Sequence, residues 1–219
     1  MRKRALALLA GLALVPWVQA QTSGEHEIVL DIPNAFAIEI DNARFIFNFT
    51  HPNAASVSGF GSLTLGGPYQ RASLPALLDF IRYVQPNTDW TFAPTWVEQN
   101  GASTQDNLSA QVRVTTGVNG NWTIRVASIT GTFGPLPVSR ARYFVDNITV
   151  RGNVGQAQTA TGNYLAPLGL NSPLITGTST GIGQAQFSLY YGFALEANDS
   201  FPPGGIQGTV TVTLEGITL

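Results

Sequence analysis

Runs of alternating apolar and polar residues recur along almost the whole chain, and they leave room for little but β-structure. The cleanest is Thr209 to Leu214, where Val210, Val212 and Leu214 face one way and Thr209, Thr211 and Thr213 the other. Successive side chains of a strand point to opposite faces, so this pattern marks a strand with one face buried. Phe36, Ile38 and Ile40 alternate in the same way with Ala37, Glu39 and Asp41, and Phe45, Phe47 and Phe49 with Arg44, Ile46 and Asn48. Further runs are built on Val112 and Val114, on Trp122, Ile124 and Val126, on Arg142 to Arg151, and on Ala185, Phe187, Leu189 and Tyr191. An earlier run places Ile28, Leu30 and Ile32 on one face, closed by Pro33 and Asn34.

Turn signals punctuate these runs. Asn42-Ala43 separates two of the early segments, which predicts a meander or the first strands of a sandwich. Asn119-Gly120 predicts a tight hairpin feeding a strand from Trp122 to Ile129. Pro202-Pro203-Gly204-Gly205 predicts a turn before the last strand. Gln99 to Asn107 and Gln156 to Thr180 are polar and rich in turn formers, which predicts mostly loop. One helix is expected from Ser73 to Tyr83, with Ser73 as cap, Pro75 in the first turn, and Leu74, Leu77, Leu78 and Ile81 on one face. The expectation is an all-β chain, an Ig-like or jelly-roll β-sandwich with one short helix near 73–83. Residues 21–219 are read as a single domain, with 51–109 as an irregular insertion.

The first residues carry a different message. Arg2, Lys3 and Arg4 precede the apolar run Ala5 to Val15, and Val18-Gln19-Ala20 resembles a cleavage site. The run falls short of the roughly 20 residues a membrane-spanning helix needs. Residues 1–20 are therefore read as a signal peptide, which places the protein outside the cell or at its surface without a membrane span in the mature chain.

Cleavage changes the charge. Of 11 Lys and Arg, three lie in the leader, leaving 8 against 13 Asp and Glu, a net of −5 over 199 residues. A sparse, mildly acidic surface argues against nucleic acid as a partner. Lys3 is the only lysine, so lysine-based isopeptide cross-links and Schiff-base chemistry are excluded from the mature chain. The chain has no cysteine, so burial and hydrogen bonding alone must stabilise it.

No catalytic constellation stands out. His26 and His51 are the only histidines, short of the three or four ligands a zinc site uses, and no Gly-x-Ser-x-Gly elbow is present. Glu39 and Asp41 share a strand face and could act as a glycosidase pair, although solvent-facing residues opposite Phe36, Ile38 and Ile40 show the same alternation. Asp146-Asn147 and Asn198-Asp199-Ser200 offer oxygen ligands but no complete calcium loop. The reading is a non-enzymatic protein with no cofactor and no metal. Tyr83, Trp90 and Trp96 are a candidate glycan platform, because aromatic faces suit sugar stacking, while burial in the core is the alternative. Asn48, Asn107, Asn121, Asn147 and Asn198 begin Asn-x-Ser/Thr sequons and are candidate glycosylation sites.

The stretch Phe187 to Leu214 resembles the last two strands of bacterial surface β-sandwich proteins of the pilin-like and WxL-like kind. The matching residues are the aromatic pair Tyr190 and Tyr191, the turn Pro202, Pro203 and Gly204, and Gly208, Val210, Val212 and Leu214 of the closing strand. The chain lacks a pilin-type disulfide pair and a Trp-x-Leu motif. The resemblance implies a surface-exposed building block and supplies no catalytic residue. The expected function is a secreted structural subunit that self-assembles into a filament, pilus-like fibre or layer. Ile28, Leu30 and Ile32 would form its assembly strand by addition to a neighbour's sheet edge. The alternative is a carbohydrate-binding or adhesive module using aromatic residues 83–96.

Overall fold

The computed structural model describes residues 36–41, 44–51, 54–58, 62–65, 74–86, 90–99, 102–104, 106–203 and 205–219. The expected leader and the strand carrying Ile28, Leu30 and Ile32 lie outside the described residues. The fold is an all-β, sandwich-like one with a single short α-helix among the described residues.

Three long strands dominate it. They are β8 with β9 (Ser109–Thr116 and Asn119–Thr132), β10 (Ala141–Thr159) and β12 (Pro173–Ala194). β12 is central. One of its edges pairs along its length with β10, from Ala141 opposite Phe193 to Thr159 opposite Ile175. Its other edge pairs with β8 as far as Gly183 opposite Thr116, and then with β9 from Thr180 opposite Asn119. The chain therefore does not reverse at Asn119-Gly120, as its sequence predicts. β8 and β9 follow one another along the same edge, interrupted only by Gly117 and Val118. The joint is satisfied locally. The Val118 N–H donates to Thr116 Oγ1 at 3.1 Å and the Ser179 hydroxyl donates to the Val118 carbonyl at 2.6 Å. Both hydroxyl residues are buried, and these bonds account for polar groups otherwise out of place there.

All three long strands are disturbed at this same level. β10 shifts register between Gly152 and Val154, where Gly152 adopts φ 67°. In β12 a Cβ on Gly183 would lie 2.6 Å from the Val154 nitrogen. Bulges and glycines bend strands, and here they crease the sheet so that its halves share one core. Val112, Val114, Phe187 and Leu189 from one half join Trp122, Ile124, Val126, Leu174 and Ile175 from the other. Trp122 is fully buried over Gly177 of β12, with Phe36 tilted against it at 6.1 Å.

The shorter strands flank this frame. β1 (Phe36–Ile40) pairs with β8, and β13 (Thr209–Thr218) pairs with β9. β2 (Arg44–Ile46) does not continue a meander from β1. It pairs instead with β6 (Trp96–Gln99), which pairs in turn with β7 (Ala102–Thr104), a hairpin where loop is expected. β3 (Ala55–Ser58) pairs with β4 (Ser62–Leu65) and with β5 (Thr91–Phe92), and β5 joins the end of β12. The short strand β11 (Ala166–Pro167) lies beside β10. Most of the stretch 156–180 is strand, not loop. The two consecutive strands of the surface-protein resemblance, β12 and β13, do not pair with each other.

The helix α1 runs Leu74–Ile81, within the expected 73–83. Its buried face is Ala76, Leu77 and Phe80, whereas Leu74 and Leu78 are exposed. Burying a side chain such as Leu77 or Phe80 contributes about 1.5–3 kcal/mol. These residues form a second core with Val57, Val97, Leu108, Phe144 and Tyr190.

Candidate functional site

A broad concavity follows from how β1 and β13 end the sheet. Among the described residues each has a strand partner on one edge only, β8 for β1 and β9 for β13. The two come together where Phe36 covers Gly216, leaving no room for a Cβ. Away from that point lies an apolar groove of about 1160 Å³. Val210, Val212 and Leu214 of β13 line it, as do Ile40 at the end of β1 and residues 44–50 beyond. Leu189, Tyr191 and Phe193, alternate residues of β12, contribute from beneath with Ala110, Ala141 and Leu168.

Aromatic rings give the groove its shape. Phe45 meets Tyr191 edge-on at 4.8 Å, and Phe193 contacts Phe47, Phe49 and Phe133 at 5.8, 5.7 and 5.1 Å. The sequence places Phe45, Phe47 and Phe49 on one face of a strand. Only Arg44–Ile46 is strand, yet all three rings still line the groove. Burial pushes the Tyr191 phenol well above the usual tyrosine range, so it is neutral at physiological pH. Arg44 is the one charged residue among the lining residues described, and it is exposed and paired with Glu98 at 3.4 Å. Charge therefore plays little part in the groove. Its volume exceeds the roughly 300–1,000 Å³ of typical small-molecule pockets.

The residues singled out from sequence are scattered. Tyr83 is buried, stacked on Phe144 at 4.3 Å and tilted against Tyr190 at 4.7 Å. Its hydroxyl donates to Asp146 Oδ2 at 2.7 Å, and burial together with that bond raises its pKa well above the usual range. A sugar has no access to a ring so enclosed, which corrects its place in a platform. Trp90 is 50 % exposed, and Trp96 is half-buried with His51 edge-on at 5.1 Å. Glu39 is exposed and paired with Arg113 at 2.7 Å.

The sequon asparagines differ in their engagement. Asn48 Oδ1 accepts from the Thr50 hydroxyl at 2.9 Å, and Asn107 Oδ1 from the Ser109 hydroxyl at 2.7 Å. Asn147 occupies a left-handed position at the bulge of β10, and Asn121 and Asn198 are exposed. Among the described residues no three His, Asp or Glu side chains gather as a metal site, and no helix is long and apolar enough to cross a membrane.

The groove itself was not legible as a site. Phe45, Phe133, Phe193 and Phe201 come from separate segments, and the available signal is the number of phenylalanines, 12, several next to Gly or Pro. No protein family, no curated protein and no solved structure matches this chain.

Proposed function

We propose that the protein is an exported structural subunit that assembles with copies of itself at the cell surface, as a filament or layer. The observation that carries this reading is the apolar groove beside the edge of β13 that has no strand partner among the described residues. An added strand can hydrogen-bond to an open edge while its alternate side chains fill pockets. Ile28, Leu30 and Ile32 have that alternation, and the near absence of charge in the groove suits them. In this reading the segment around Leu30 of one copy inserts beside Val210, Val212 and Leu214 of the next. The resemblance of residues 187–214 to pilin-like surface proteins points the same way.

Electron microscopy and sizing of protein recovered from the cell surface test the proposal. Ordered polymers are expected, and deletion of residues 21–33 should leave a folded monomer that no longer assembles. A monomer from the intact chain, or unfolding on deletion, would contradict it. The adhesive reading rests on the exposed indole of Trp90. It expects Trp90→Ala to abolish glycan retention with the fold unchanged, and retained binding would end it.

A further inference from the structure

Part of the groove wall comes from the segment between β12 and β13. Of its described residues, 195–203 and 205–208, Leu195, Phe201 and Ile206 line the groove. The segment is fixed at two places. Near β13, Gly208 lies so close to β9 that a Cβ there would overlap the Thr132 carbonyl and sit 2.8 Å from the Phe133 Cα. Near β12, the Arg140 guanidinium bridges two carboxylates. It is paired with Glu196 through Nη1, and Nη2 donates to Asp199 Oδ1 at 2.6 Å. Asp199 also accepts the Glu196 N–H at 2.8 Å, while its own N–H donates to the Glu196 carbonyl at 3.0 Å.

Burial sets the Arg140–Asp199 pair apart. Its side chains are 14 % and 7 % exposed, while Glu196 is 54 % exposed, and Arg44–Glu98, Arg82–Asp79, Arg113–Glu39 and Arg125–Glu215 all lie nearer to solvent than that pair. Exposed pairs contribute little, but removing one partner of a buried pair leaves an uncompensated charge. Arg140 directly precedes Ala141, which lines the groove, so the cluster ties the segment to the groove's own wall. Between the two fixed places Phe201 is 49 % exposed, and the Gly205 N–H donates to the Pro202 carbonyl in a tight turn.

We infer that residues 195–203 and 205–208 belong to a strap along the groove and that the Arg140–Glu196–Asp199 clamp controls how readily the strap lifts. The clamp thereby regulates uptake of a strand. This rests on the reading of the groove as a strand acceptor. A groove that is open only part of the time binds in proportion to its open fraction.

The test uses the full protein from its host and the variants Asp199→Asn and Glu196→Gln, either of which weakens the clamp while keeping Arg140. Two readouts are taken, hydrogen exchange of residues 195–208 and uptake of a labelled synthetic peptide covering residues 26–33. Asp199→Asn should speed exchange in the strap and raise peptide uptake about tenfold, with the circular dichroism of the fold unchanged, and Glu196→Gln, at the exposed partner, should act in the same direction but less. Unchanged exchange in folded variants would overturn the strap. So would faster exchange accompanied by unaltered peptide uptake. If neither the parent nor any variant takes up peptide, the acceptor reading fails, and regulation of uptake falls with it. Faster strap exchange would then still establish the clamp as a local fastening.

Discussion

Trp122 and Gly177 depend on each other in a way neither residue reveals alone. Trp122 falls on the apolar face of its run in the sequence and is fully buried in the structure. Gly177 lies in a stretch that reads as loop, yet it is the surface on which the indole rests, and a Cβ there would overlap the ring. Gly177→Ala should therefore destabilise the fold by about 2–3 kcal/mol through overpacking, measurable by urea unfolding, and a neutral result would contradict this packing. Tyr83 teaches the converse. Its burial is decided by Phe144 and Tyr190, far away in sequence, so local pattern could not separate an exposed platform from a core residue. Tyr83, Tyr143 and Tyr191 all have raised pKa values, each chiefly through burial. Their stabilising effect is complete below the unfolded tyrosine value of about 10 and is lost as pH rises beyond it. Phenolate absorbance should then show Tyr83, Tyr143 and Tyr191 ionising only with unfolding. Asp199 has the opposite sign. Its carboxyl is held below the ordinary range by the Glu196 N–H and by Arg140, so its contribution persists until pH falls below that range.

Strands were legible from alternation wherever a run had one buried face, as in β1, β8 and β13. Partners were not, because pairing here is largely between distant segments and nothing local encodes it. Asn119-Gly120 is the clearest case. The dipeptide favours a two-residue hairpin, but β12 offers a continuous edge on both sides of it, and the extended pairing prevails. If so, Asn119→Thr should change stability by less than about 0.5 kcal/mol, since Asn119 is an exposed strand residue. A larger loss would restore a specific turn role. Residues 156–180 escaped recognition for a related reason. Gly and Thr are abundant there because the strands must crease and pass beneath Trp122, and that composition imitates a loop.

Among the described residues the ten-stranded sheet is creased, and its strands β1 and β13 meet at Phe36 and Gly216. The sequence announced the β-class and the apolar faces, but the groove is lined by segments far apart in the chain. Assembly through so apolar a groove should depend weakly on ionic strength. Polymer growth that changes little between low and high salt is expected, and strong salt inhibition would point to a charged interface instead. The absence of cysteine permits a sharper test of where the strand goes. Neighbouring strands bring opposed Cα atoms to about 4.5–5.5 Å, within the range a disulfide spans. Leu30→Cys protein would be mixed under mild oxidation with protein carrying Cys in place of Val210, Val212 or Leu214. A covalent dimer between the two variants at one or two of these positions is the predicted result. Cross-linking only within a chain that carries both changes, or none between chains at any position, would contradict strand insertion between subunits.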